Sequence, residues 1–363
     1  MIMTSKFGRG SEKGGAPAFL LEIDNKDISG RIQSRLMSLT MTDNRGFEAD
    51  QLDIELDDAD GSLVLPSRGN VISLALGWRD QPLISKGRFT VDEIGHSGAP
   101  DKLTIRARSA DFRESLNMRR EESYHKKTIG DIVRTIAARN RLTADLHQDI
   151  AKILINHIDQ TNESDGSFLT RLARQEGAIA SVKNGKLIFI RQGQNKTASG
   201  AVIPALVITR RSGDNHNFTL SDREAYTGVV ANWLDVRKPE KKHTLTVERK
   251  NQENADKLKS YLIGSKDNVL ELSRTYADEA SAKRAAKVAW EKMQRGAATF
   301  SIQLAQGRAD LYPEIPIKVT GFKPEIDAAE WTLTTVTHTV NGSGGGFTTA
   351  LTLELKIDDL DMK

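Results

Sequence analysis

Residues 51–57 read QLDIELD, so that Leu52, Ile54 and Leu56 alternate with Asp53, Glu55 and Asp57. Successive side chains of a strand point to opposite faces, and a strand with one buried and one wet face must alternate in this way. The same period runs outward in both directions. Upstream it is kept by Phe19, Leu21 and Ile23, then by Met37, Leu39 and Met41. Downstream, Ile72, Leu74 and Leu76 lead into Trp78, and Phe89, Val91, Leu103 and Ile105 follow. Asp60-Gly61, Arg68-Gly69-Asn70 and Gly98-Ala99-Pro100 separate these runs with turn chemistry. Residues 18–110 are therefore expected to form a small barrel or sandwich of short strands. Before them, residues 1–17 are rich in Gly, Ser and Lys and lack the apolar middle of a signal peptide; they are expected to be a flexible arm.

The period then changes. Thr128 is placed to cap a helix carrying Ile129, Ile132, Val133, Ile136 and Ala137 on one side. A second helix is expected from Ser164-Asp165, with Phe168, Leu169, Leu172 and Ala173 as its stripe and Gly177 as its left-handed stop. Asn184-Gly185 then joins two short runs, and tolerates the positive φ angles of a type I′ hairpin turn. Residues 111–192 thus form an α/β segment between two β regions. From 193 to 363 the β pattern resumes, in Val202–Thr209, Thr227–Arg237, His243–Arg249, Ala298–Gln306, Ile315–Thr320, Trp331–Val340 and Thr348–Lys356. Two helices interrupt it, one polar at about 252–262 and one at about 278–294. In the second, Ala282, Ala285, Ala286, Ala289, Trp290 and Met293 share a face, which implies close approach to a sheet.

Composition narrows the function. The 363 residues include no cysteine, which excludes disulfide scaffolds, thiolate metal sites and a cysteine nucleophile. A net charge of +3, from 52 basic and 49 acidic residues, is too balanced for a nucleic-acid footprint. No apolar run reaches the roughly 18–20 residues of a membrane span.

No constellation marks a catalytic, cofactor-binding or metal site. His96, His125, His147, His157, His216, His243 and His338 never fall at the spacing of a local metal pair. The acidic run of Asp53, Glu55, Asp57, Asp58 and Asp60 fails as a calcium loop, because with Gly61 in the glycine slot the terminal ligands would be Leu56 and Ser67. A solvated strand face explains it better. Gly193-Gln-Asn-Lys196-Thr197 lacks the glycine before its lysine, and the Gly-rich loop 342–346 precedes a strand pattern and not a helix. Arg113, Arg119, Arg120, Lys126 and Lys127, interrupted by Glu114, Glu121 and Glu122, read as a mixed-sign helix face.

Several motifs nevertheless resemble one family. Gln160-Thr-Asn-Glu-Ser-Asp165 with Phe168-Leu-Thr-Arg-Leu-Ala-Arg-Gln-Glu-Gly177, and the Val182-Lys-Asn-Gly-Lys-Leu-Ile-Phe189 hairpin behind it, resemble the late control D proteins. So do Arg295-Gly-Ala-Ala-Thr-Phe300, Gly307-Arg-Ala-Asp310-Leu-Tyr-Pro313, Val319-Thr-Gly-Phe322-Lys-Pro324, and Trp331 with Val336-Thr-His338. These are baseplate hubs of contractile-tailed phages and tailocins, similar to the hub part of the VgrG proteins of type VI secretion. The resemblance covers about Phe19 to Leu355.

The resemblance implies an α+β, β-rich fold of two small β-barrel domains, with the α/β insert between them and helices packed on the second. It implies a structural protein of the virion tail, not an enzyme and not inserted in a membrane. Its homotrimer would adapt a sixfold tail tube to a threefold spike, touching tube, spike, tape-measure and other baseplate proteins. DNA would only pass through the lumen, and carboxylates such as Asp53 and Glu55, if they line it, would repel the phosphates. Two rival readings are a β-rich carbohydrate- or cell-surface-binding adhesin and a tail-borne peptidoglycan hydrolase. Aromatics at 6% disfavour the first, and the absent catalytic constellation disfavours the second.

Overall fold

The computed structural model describes residues 15–109, 114–183, 185–193, 197, 200–220, 226, 228–234, 242–248, 269–276, 278–342, 344 and 346–356. The expected helix at 252–262 and most of the expected N-terminal arm lie outside them.

In the first β region, Leu36–Asn44, Gln51–Asp57, Lys102–Ser109, Ile84–Ser97, Val71–Trp78 and Pro17–Ile23 pair antiparallel in that order. Their alternating side chains meet in one core that includes Leu21, Leu39, Met41, Leu52, Ile54 and Leu74. Met37 departs from the expected alternation. The register slips between Leu36 and Ser38, so Leu36 turns inward and Met37 is left 44% exposed. A β-bulge does this by setting two residues of one strand against one of its neighbour.

In the second β region, Gly213–Leu220, Ala298–Leu304, Gly346–Leu355, Trp331–Asn341, Pro316–Thr320 and Leu206–Thr209 are paired in that order, the last pair parallel. They enclose a core centred on Phe300, Trp331, Leu333, Val336 and Leu353. The expected strand from Val202 begins only at Leu206, and Val202 itself is 73% exposed.

The two regions are not separate. Trp331–Asn341 also pairs with Leu36–Asn44, from Thr335 opposite Asn44 to Asn341 opposite Ser38. The strands of both regions thus make one continuous thirteen-stranded sheet over two cores. Among the described residues, the first region's path ends at Lys26–Asp27 and does not pair back onto Leu36–Asn44.

The insert has its own core. Thr128 and Asp131 form a reciprocal capping box at the start of helix Ile129–Arg139, and Ser164 caps helix Asp165–Gln175 through the Ser167 amide. Each cap satisfies amide groups that no helix can bond internally. The apolar stripes of both helices are buried against the hairpin Ala178–Lys183/Lys186–Arg191, which Thr143–Leu146 joins in parallel. Gly177 ends the second helix at φ +62°, and a Cβ there would stand 2.9 Å from Val288. From Arg119 on, the basic stretch is a strand and not a helix face: Arg119–Thr128 pairs with Leu154–Ser164 as a two-stranded ribbon, while Glu114 starts the short helix Glu114–Asn117 and Arg113 lies outside the described residues. Alternation of charge with Tyr124 suits a strand whose outer face stays wet, and the period there is too short to separate the two readings.

A fourth unit follows. Helix Glu279–Gly296, capped by Asp278, buries Ala282, Ala286 and Trp290 against Val229 and Ala231 of the sheet Gly228–Leu234, Lys242–Glu248 and Val269–Tyr276. The alanine face expected on the second barrel therefore packs on a separate three-stranded sheet.

Candidate functional site

The four cores converge on a joint, and its parts come from sequence positions far apart. The hairpin Trp331–Asn341/Gly346–Leu355 serves both β regions. Its Val336, Leu351 and Leu353 belong to the second core, while Val340 and Phe347 at the other end complete the first. The segment Gly307–Leu311 crosses the same boundary. Ala309 is buried with the first core and Leu311 with the second. Gly307 must be glycine, because a Cβ would lie 2.4 Å from the Phe347 ring. Its carbonyl accepts from Trp78 Nε1 at 3.0 Å, and the Leu311 carbonyl accepts from Lys86 Nζ at 3.1 Å.

Charge locks the joint. Arg45, just after the strand Leu36–Asn44, places Nε 2.5 Å from Glu314 and Nη1 2.6 Å from Glu354 of the second β region. Glu314 also accepts from the Gly193 amide at 3.2 Å, and Glu354 from Gln192 Nε2 at 3.3 Å, which ties in the end of the insert. Burial pushes the Glu314 carboxyl up, against the pull of Arg45. Lys183, at the tip of the insert hairpin, reaches Asp43 at 2.7 Å and Asp50 at 2.6 Å. Burial alone would lower the Lys183 pKa, but Asp43 and Asp50 hold it above its ordinary value. Burial raises Asp50, with Lys183 opposing. Glu176 of the insert meets Arg284 of the fourth unit at 2.9 Å. Buried pairs of this kind recover little net stability, but removing one partner strands a charge, so they fix a geometry.

Burial also pushes Lys86 down to about 8 and His338 down to about 3. His338 is fully buried, and its Nδ1 lies 3.0 Å from Thr349 Oγ1. Such an imidazole stays neutral and serves packing.

Within the insert, Asp165 is the organising charge. It is fully buried and accepts from Asn140 Nδ2 at 2.8 Å and Gln160 Nε2 at 2.9 Å, with Arg139 at 3.2 Å and Arg120 at 3.5 Å. Of the Asn-Glu-Ser-Asp wording, Asp165 is thus the buried start of the helix, while Asn162 stays exposed.

The acidic run resolves into paired groups. Asp53 and Glu93 flank Arg106 at 3.5 and 2.8 Å, Asp92 meets Arg108 at 2.9 Å, and Glu55 meets Lys102 at 3.2 Å. The face is mixed in sign, so Asp53 and Glu55 do not make it anionic. Asp58 is buried and accepts from the Leu63 amide at 2.9 Å, while Asp60 binds Arg35 in a bidentate pair. Among the described residues no group of three or more His, Asp or Glu could hold a metal ion. No helix of the described residues is long and apolar enough to cross a membrane.

The arrangement can hold a shape. That is also what comparison with known proteins returns. The model of the phage tail baseplate hub family matches residues 67–344. The chain is 52% identical to the probable baseplate hub protein of Escherichia phage 186, with 95% of each chain covered.

The chain belongs to the phage tail baseplate hub family.

As a hub it is a structural component of the virion tail, and its relatives are structural proteins. The fold agrees. A tail protein from Neisseria meningitidis matches 93% of the chain and 96% of its own length at a TM-score of 0.67 and 13% identity. A component of the type VI secretion system from E. coli matches 93% of the chain and 77% of its own at 0.56 and 13%. The Gly307–Leu311 motif of the hub was visible in the sequence, but its role in bridging two cores was not. Arg45 and Lys183 carried no sequence signal at all, because their partners lie more than a hundred residues away.

Proposed function

We propose that the hub acts as a homotrimer whose ring adapts a sixfold tail tube to a threefold spike. The supporting observation is the pair of cores under one sheet. Each chain carries two β modules side by side, so three chains supply six positions toward the tube while keeping three toward the spike. Cyclic assembly works only if repeated patches meet at a fixed angle. The Arg45 and Lys183 clusters, together with the Leu36–Asn44/Trp331–Asn341 ladder, supply that fixed angle within each chain.

In this reading the spike, the tube protein, the tape-measure protein and other baseplate proteins are the partners, in a contractile phage tail or a tailocin. Two closed β-barrels in the assembled ring would be completed at sheet edges left open in the single chain. DNA would pass through the lumen without binding; if the face of Asp53 and Glu55 lines it, the charges there are balanced and not anionic.

Native mass of the full chain across a concentration series, alone and with its spike protein, tests this. Three times 40.1 kDa, or a three-to-three complex with the spike, is the expected result. A dimer or tetramer that ignores the spike, or a monomer that persists in its presence, would overturn the trimeric adaptor.

A further inference from the structure

We propose that His125 and His157 form a two-imidazole chelate for a divalent late transition metal, Cu2+ or Ni2+. The two histidines stand 32 positions apart in sequence, but the ribbon Arg119–Thr128/Leu154–Ser164 sets them directly opposite each other. Their rings lie 4.5 Å apart between centroids, and the two Nδ1 atoms face each other at 3.0 Å.

The tautomer of His157 is set from behind. Its Nε2 lies 2.9 Å from Asp159 Oδ2, and an ionised carboxylate only accepts, so the proton sits on Nε2. Asp159 is held in turn by Ser123 Oγ, which donates to its other oxygen at 2.6 Å. The Nδ1 lone pair of His157 therefore points toward His125, with whose Nδ1 it shares a hydrogen bond that a metal ion would replace. This is the carboxylate–histidine–metal order, in which the outer carboxylate orients the ring and raises its basicity. His125 is exposed and is free to place its own proton on Nε2, toward water, leaving a second lone pair at Nδ1.

The spacing selects the metal. With metal–nitrogen bonds of about 2.05 Å, two nitrogens 3.0 Å apart subtend roughly 94° at the ion. That is the cis angle of a square-planar or octahedral ion and is narrow for tetrahedral zinc, which needs nitrogens about 3.3 Å apart. Copper also heads the affinity order for nitrogen ligands. With His157 51% exposed, water completes the remaining positions and the rings can tilt toward a shared ion. The site lies on the ribbon, and neither histidine is one of the charges paired in the Arg45 and Lys183 clusters.

The test is titration of the full chain with CuCl2, NiCl2 and ZnCl2, with paramagnetic resonance on the copper form. One Cu2+ per chain is expected, with coupling to two imidazole nitrogens, Ni2+ weaker and Zn2+ weakest. His125→Gln and His157→Gln should each lower copper affinity at least tenfold and remove the two-nitrogen signature. Asp159→Asn should lower it by about tenfold through the lost orientation of His157. Thermal unfolding of each variant checks that the ribbon is intact; should either glutamine variant unfold, chemical modification of the exposed imidazoles replaces it. Failure of the native chain to bind copper, or unchanged affinity in both glutamine variants, would overturn the proposal.

Discussion

The two β regions reach similar cores by opposite routes. All six main strands of the first come from one stretch, Pro17 to Ser109, and its core is mostly aliphatic around Leu39, Ile54 and Leu74. The second draws on 206–220 and on 298–355, with the three-stranded sheet and helix Glu279–Gly296 lying between them in sequence. Its core is mostly aliphatic too, with Phe300 and Trp331 at its centre. Phe300 meets Phe322 edge-on at 5.1 Å and Trp331 at 5.7 Å, and Phe218 stands edge-on to Trp331 at 6.2 Å. Bringing distant segments together costs loop-closure entropy, and large rings with directed contacts offset that cost over few residues.

The largest break in this comparison is Trp331→Ala. The ring is fully buried and its Nε1 donates to the Ile326 carbonyl at 3.1 Å. Loss of such a ring costs about 3–5 kcal/mol in a core, measurable as a lower urea midpoint. Because Trp331–Asn341 also carries the ladder to the first region, both regions should still unfold in one transition. Two separated transitions in the circular dichroism curve would show the regions to be independent.

Lys183→Met comes next, and it tests the joint between the insert and the first region. It leaves Asp43 and Asp50 facing each other without a cation, at an expected cost of about 2 kcal/mol, since Lys183 keeps some contact with water. The pH dependence has a definite sign. Asp50 is raised by burial, so its cost appears as pH rises through its folded pKa. The deficit of Lys183→Met should therefore shrink on acidification toward pH 4. A deficit that does not depend on pH would mean that the lost contact is packing and not charge.

Legibility in the sequence followed the same divide. Alternation located the first region's strands because most of their buried faces meet strands nearby in the chain, and Thr128 announced its helix through local capping. Gly213–Leu220 and Val269–Tyr276 escaped notice. The first exposes most of its length as an edge strand, so it shows no alternation to read. The bulge that expels Met37 is set by pairing register, which no single strand encodes. His125 and His157 had no usable spacing, since only the register of the ribbon opposes them. Composition and motif order exposed the family, while the charged joint depended on contacts between distant segments.

The smallest expected effect sharpens the comparison most, because Lys86 belongs to the first region and donates to the Leu311 carbonyl of the second. Burial lowers its pKa from 10.5 to about 8. For a base with a depressed folded pKa, the associated stability is present above the unfolded value and lost as pH falls through the folded one. The native chain should therefore gain stability relative to Lys86→Met as pH rises from about 8 to about 10.5, with the difference flat below that window. The gain is on the order of 1 kcal/mol after allowance for partial solvation. Lys183 titrates at still higher pH, and its contribution is common to both proteins and cancels in the difference. Paired melting curves at pH 7, 8, 9 and 10 would read the trend. A flat difference across the window would mean that the Lys86 ammonium is solvated, and that the contact between the two regions at Leu311 is looser than the 3.1 Å bond describes.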